Sequence, residues 1–147
     1  MSSLAHVQTA TIIAAETTET AIATHNDIVV ARRIGRDMAA ASGFRAVDCA
    51  QIATAISELA RNICLYAGSG RVSLRLVEDG GRRGIEVVAE DGGPGIKDIP
   101  LAMRDGYSTS NGLGLGLPGT KRLMDDFELQ STVGVGTVIR TRKWLGR

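Results

Sequence analysis

The chain has 147 residues, 44% apolar and 22% charged, which suits one globular domain with a real core and is too short for two. Its net charge of +1 gives no overall pull toward nucleic acid or acidic membrane, and 3% aromatic residues supply few platforms for stacked bases. Cys49 and Cys64 form no CxxC pair and no apolar run can span a bilayer. The start shows no basic segment followed by an apolar run, so a cytoplasmic, reducing setting is expected.

Residues 1–16 are rich in Ala, Ser and Thr and read as an arm or an extra edge strand. Residues 17–147 read as a single domain. Thr20 to Thr24 alternates as a first strand, and Thr24, Asn26 and Asp27 offer helix N-caps. Ile28, Ala31, Ile34, Met38 and Ala41 then share one helical face, which Gly43 ends. In the second helix Ile52, Ile56, Leu59, Ile63 and Tyr66 form a buried stripe, ended by Gly68 and Gly70. Val72, Leu74 and Leu76 alternate as a strand, Asp79-Gly80-Gly81 turns, and Ile85, Val87 and Ala89 return as its hairpin partner. Eight glycines crowd the stretch from Glu90 to Gly119, a length of irregular chain that a small domain keeps mainly to bind or cover a ligand. A third helix is expected at about Pro118 to Asp125. Phe127 to Val133, a Gly134-Val135-Gly136 turn and Thr137 to Trp144 make a second hairpin. The order predicts a two-layer α/β (α+β) sandwich: a mixed, mostly antiparallel sheet with helices packed on one face.

Three motifs carry chemistry. Glu58 and Asn62, spaced i, i+4, point the same way from the second helix, beside its apolar stripe. A carboxylate and a carboxamide so placed suit a magnesium ion and the polarisation of a hydroxyl, although alone they also suit a solvated helix face. Asp91 follows a strand and precedes Gly93 and Gly95, which let the backbone bend and approach a flat ligand; in isolation the segment equally describes an Asp-Gly turn. Gly112, Gly114 and Gly116 alternate just before a helix, so their N–H groups converge at its N-terminus as an anion cradle. The loop is not a Walker A sequence, because Gly119-Thr120-Lys121 reverses the required Lys-Thr order. Nor is it a dinucleotide fingerprint, because no strand precedes it.

In this order the three motifs resemble the N, G1 and G2 boxes of the gyrase–Hsp90–histidine-kinase–MutL (GHKL) superfamily. The short spans between them are similar to the bacterial anti-sigma-factor kinases. Ala55-Ile-Ser-Glu-Leu-Ala-Arg-Asn-Ile63, Asp105-Gly-Tyr-Ser-Thr-Ser110 and Gly114-Leu-Gly-Leu-Pro-Gly-Thr-Lys-Arg-Leu-Met-Asp125 look most like the RsbT-type serine/threonine switch kinases. The resemblance spans roughly residues 17–145 and implies the GHKL (Bergerat) ATP-binding fold, with ATP and Mg2+ as cofactors. It makes Asn62 the metal ligand and Glu58 the general base. It gives Asp91 the adenine amino group, assigns Gly93 and Gly95 to the pocket, and sets Gly112, Gly114 and Gly116 around the phosphates. Thr137 resembles the late threonine that supports adenine through the aspartate, though Gly-x-Gly-Thr is also an ordinary hairpin turn. Residues 96–111, with Ser108, Thr109 and Ser110, would form a lid.

The implied activity is an ATP-dependent serine/threonine protein kinase that phosphorylates a STAS-domain antagonist and binds and activates a PP2C-type phosphatase in a partner-switching stress response. The alternative is an anti-sigma factor that sequesters a sigma subunit and phosphorylates its antagonist. Arg61 and the trio Arg32, Arg33 and Arg36 suit contacts to phosphate or partner, or a solvated surface. No nucleic acid or membrane partner is expected.

Overall fold

A computed structural model describes residues 11–12, 17–104 and 116–146. Its strands and helices alternate as the sequence leads one to expect. The first two strands are β1 (Thr11–Ile12) and β2 (Thr18–Ile22), followed by helices α1 (His25–Ala41) and α2 (Ala46–Asn62). After α2 a π-turn runs over Ile63–Ala67, leading into the hairpin β3 (Gly70–Asp79) and β4 (Arg82–Asp91). A one-turn helix α3 (Ile99–Ala102), the helix α4 (Gly116–Leu123), and the hairpin β5 (Asp126–Thr132) and β6 (Gly136–Trp144) complete the chain.

The sheet runs β3–β4–β6–β5, and β1 and β2 lie end to end along the outer edge of β3. The expected mixed character is absent: every described pairing is antiparallel. Two of the five described pairings, β3–β4 and β5–β6, are tight hairpins and therefore antiparallel by construction. Thr11 and Ile12, from the stretch read as an arm or edge strand, pair with Glu78 and Val77.

Alternation decides the two faces of the sheet. Val72, Leu74, Ile85, Val87, Ala89 and Ile139 point inward to Ile52, Ile56 and Leu59 of α2, and burying each large aliphatic side chain contributes about 1.5–3 kcal/mol. The opposite face is charged. Glu86 is fully buried there, bonded by the Nε atom of Arg75 and, through its other oxygen, by Arg142 at 2.6 and 2.8 Å.

Helix α1 starts with a capping box: the Asp27 N–H bonds the Thr24 hydroxyl at 3.2 Å, and the Thr24 N–H bonds the Asp27 carboxylate at 3.0 Å. Its contact face is centred on the fully enclosed small residues Ala31, Gly35 and Ala39, with Ile28, Ile34 and Met38 on the flanks and Ala41 outside. The reason is closeness. A Cβ at Gly35 would collide with the Ile56 side chain, so α1 lies directly on α2. Helix α2 carries the expected stripe from Ile52 to Ile63, but Tyr66 is 46% exposed. The wider π-turn shifts the phase there and takes the ring off the buried line. Among the described residues no helix is long and apolar enough to cross a membrane.

Candidate nucleotide site

The C-terminal end of β4 delivers Asp91 to the rim of the sheet. Its Oδ1 accepts the Gly93 N–H at 2.8 Å, an Asx-type turn that fixes the carboxylate, while among the described residues nothing bonds its Oδ2. The loop beyond is pressed against the β5–β6 turn, where Gly134 N donates to Pro94 O at 2.9 Å. Gly95 has φ +80, and a Cβ there would lie 2.5 Å from Thr132 O and 2.9 Å from Val133 Cα. Gly136 has φ +148, and its Cβ would strike the carbonyl of Asp91. Both positions require glycine, for conformation and for space.

Around Asp91 opens a cavity of about 410 Å³, within the range of small-molecule sites. Asn62, Asp91, Gly95, Gly116 and Thr137 meet on its wall, drawn from α2, β4, the loop after it, the start of α4 and β6. Leu59, Ile63, Ala89, Leu101, Leu117 and Ile139 give it a broad apolar surface, as a flat purine requires, and Lys97 and Asp98 add charged groups from the loop after β4. Thr137 is the register partner of Asp91 across β4 and β6. At the other end Gly116 and Leu117 bring the first turn of α4 to the cavity, and its N-terminal partial positive charge suits an anion. A wider cleft of about 890 Å³ adjoins this one across Asp91 and Thr137, lined by Arg71, Glu90 and Gln130. It contains neither Asn62 nor the start of α4, so the smaller cavity is the better equipped for a nucleotide.

The remaining residues singled out from the sequence fall in three places. Gly93 packs on Ala67, where a Cβ would come within 2.6 Å of the alanine Cβ, and its N–H holds Asp91. Glu58 lies one turn before Asn62 on α2, buried, with Arg61 Nη1 at 3.2 Å from its Oε2, and it is not part of the cavity wall. Gly112, Gly114, Ser108, Thr109 and Ser110 lie outside the described residues. The segment expected as a lid contains α3, capped by Asp98, whose Oδ1 accepts the Leu101 N–H at 3.0 Å.

Sequence reasoning did not single out Lys97 or Ser131. Lys97 lines the cavity and supplies a cation on the loop side. Ser131 bonds both the loop and Thr137, with Ile96 N at 2.7 Å and Thr137 Oγ1 at 2.8 Å. Nothing in a strand's alternation marks such a serine. Burial, and after it the Asp27 carboxylate, pushes the Cys64 thiol up, which favours its protonated form. No cluster of three or more His, Cys, Asp or Glu suited to a metal occurs among the described residues. A magnesium ion bound here would take one oxygen from Asn62 and most of its shell from phosphates and water.

The chain is similar to known proteins. The family described as Histidine kinase-like ATPase domain matches residues 21–143. The serine/threonine-protein kinase RsbT of Bacillus subtilis is 58% identical over 124 residues, which is 84% of this chain and 93% of that protein. An anti-sigma F factor of Caldanaerobacter subterraneus is 33% identical over 106 residues, 68% of this chain and 73% of the other. In fold, the chain is similar to the crystal structure of the RsbU and RsbW domains of a Mycobacterium tuberculosis protein. That match has a TM-score of 0.62 and 19% identity, and covers 89% of this chain and 33% of the longer one.

Proposed function

Given that the chain belongs to the histidine kinase-like ATPase family and, within it, to the serine/threonine protein kinases of the RsbT type, we propose that it transfers the γ-phosphoryl group of ATP to a serine or threonine of a STAS-domain antagonist protein. The observation that carries this reading is the convergence of Asn62, Asp91, Gly116 and Thr137 on one apolar cavity of nucleotide size. Asp91 accepts a hydrogen bond from the adenine amino group, with Thr137 beside it. The first turn of α4, with Gly112 and Gly114 preceding it, faces the phosphates. Asn62 would hold Mg2+, which when bound would supply positive charge against the phosphates. Glu58, on the same side of α2, accepts the proton of the attacking hydroxyl. Its bond to Arg61 keeps the side chain in one place while the hydroxyl approaches.

In the same reading the protein works in the cytoplasm, in a partner-switching stress pathway, and binds and activates a PP2C-type phosphatase. The second reading, an anti-sigma factor that sequesters a sigma subunit, draws support from 31–33% identity to several anti-sigma F factors. The kinase relative, at 58%, favours the first. Incubation of purified antagonist with radiolabelled ATP tests the transfer, comparing the unsubstituted protein with Asp91→Asn and Glu58→Ala. Labelling should fall in both, and equal labelling in all three would refute it. Capture of phosphatase rather than sigma factor by the immobilised protein separates the two readings.

A further inference from the structure

We infer that Ser131 is a positioning residue that orients the hydroxyl proton of Thr137 and thereby sets the preference of the cavity for adenine. The inference rests on the nucleotide reading of the cavity given above and adds to it the residue that fixes its hydrogen-bonding pattern.

Three strands bring the groups into one row. Ser131 of β5 is the register partner of Thr137 on β6, and Thr137 is the partner of Asp91 on β4. The Ser131 hydroxyl has three neighbours. Ile96 N–H donates to it at 2.7 Å, Thr137 Oγ1 is at 2.8 Å, and the Gly136 carbonyl is at 3.3 Å.

A serine has one proton to give. The Ile96 N–H must take a lone pair, since an amide nitrogen cannot accept. The 2.8 Å contact between the two hydroxyls fits either as donor, Thr137 giving its proton to Ser131 if Ser131 bonds the Gly136 carbonyl; we assign the Ser131 proton to Thr137, whose oxygen lies half an ångström nearer than that carbonyl and in the ordinary range for O–H···O bonds. Once Thr137 accepts that proton, its own O–H is directed elsewhere, and the cavity it lines is where an acceptor is needed.

The outcome is a fixed pair on the cavity wall: an acceptor at Asp91 and a donor at Thr137. Adenine presents the matching edge, an amino donor next to a ring-nitrogen acceptor. Hypoxanthine and guanine present the reverse, a carbonyl acceptor next to an N–H donor. Without Ser131 the Thr137 hydroxyl is free to rotate and serves donor or acceptor alike, so the second half of the discrimination is lost. The Ile96 N–H loses its acceptor in the same change, which loosens the loop after Asp91.

Those two consequences read out differently. A loosened loop weakens all purine nucleotides equally. A released Thr137 proton weakens ATP against ITP. The test is calorimetric titration of ATP and ITP, each with Mg2+, into the unsubstituted protein, Ser131→Ala and Ser131→Thr, with melting temperature monitoring the fold. In Ser131→Ala the ATP dissociation constant should rise about three- to tenfold, the loss of one neutral hydrogen bond. The ratio of ITP to ATP dissociation constants should fall about threefold or more. Ser131→Thr, which keeps the hydroxyl, should restore both.

An unchanged ratio in Ser131→Ala, or a Ser131→Thr variant that behaves as the alanine does, overturns the inference. If the unsubstituted protein binds neither nucleotide, the nucleotide reading fails and takes this inference with it. If it binds ATP, loses affinity on Asp91→Asn, and keeps its ATP preference on Ser131→Ala, only the role of Ser131 fails.

Discussion

Replacing Asp91 by asparagine keeps the size of the side chain and removes one acceptor, so its effect follows from counting. The carboxylate has two oxygens. Oδ1 is committed to the Gly93 N–H at 2.8 Å, which leaves Oδ2 for the amino group of adenine. Asparagine has one oxygen and one NH2. If the oxygen stays on Gly93, the NH2 meets the adenine amino group, donor against donor. If the side chain flips, the NH2 meets the Gly93 N–H and the turn opens. A charge-assisted bond of this kind contributes about 1.5–3 kcal/mol, so ATP affinity should fall about tenfold to a hundredfold. Calorimetric titration of the purified variant with ATP and Mg2+ measures this. The same NH2 can donate to the carbonyl of hypoxanthine, so ITP should lose less than ATP. The melting temperature should move little, because asparagine fits the same space. A variant whose ATP affinity lies within twofold of the original would refute the assignment of Asp91 to the purine.

Glu58→Ala should lower phosphoryl transfer about a hundredfold or more, with nucleotide affinity changed far less, because Glu58 is set back from the cavity wall; single-turnover transfer and direct titration separate the two. Arg142→Ala removes the two bonds that hold buried Glu86 from one side, leaving Arg75 on the other, and urea unfolding should report a loss of about 3 kcal/mol. Asp27 supplies an acid-side pH dependence. Backbone N–H bonds from Ala23, then Thr24, hold its carboxyl below the usual value of 3.8, so the folded state binds its proton less readily than the unfolded one. Its contribution is present above the unfolded value and fades as pH falls through the lower folded one. Unfolding measured from pH 6 down to pH 2.5 should show a shallower acid loss in Asp27→Asn than in the original protein.

The helices and hairpins were legible because local physics decides them. Thr24 and Asp27 cap α1, the period-four stripe from Ile52 to Ile63 marks α2, and Asp79-Gly80-Gly81 closes the β3–β4 hairpin. What local pattern cannot reach is phase and register. The stripe reading carried one helix through Tyr66, whereas the π-turn over Ile63–Ala67 adds a residue to the winding and moves Tyr66 to the surface. The apolar pattern of α1 includes Ala31, at the heart of the contact, but omits Gly35, which makes the close approach to Ile56 and has no hydrophobic signal of its own. Of the residues that meet on the cavity wall, motif spacing points to Asn62, Asp91, Gly95 and Gly116, and the family resemblance to Thr137. Neither points to Ser131, because its part depends on which residues of two other strands lie beside it.

Register also explains why the cavity lies where it does. Leu129, Ile139, Ala89 and Val72 form one inward row across β5, β6, β4 and β3, and all four strands place an apolar residue there. Two residues further along, the same four strands place Ser131, Thr137, Asp91 and Gly70. Apolar alternation therefore stops in every strand at one row. The sheet continues, but its inward face no longer offers side chains that can fill the space under α2. A polar row beneath an apolar roof is costly to leave dry, since each hydroxyl and carboxylate must keep a partner. The protein supplies some of those partners itself, through Ile96 and Gly93; in the proposed reading Asp91 Oδ2 and the Thr137 proton are left for a flat, nitrogen-rich ring. On this argument the purine completes the core as its last layer. Bound nucleotide should then protect the β4 and β6 ends from hydrogen exchange more strongly than the β3–β4 turn at Gly80 and Gly81, and equal protection at both ends of the sheet would contradict it.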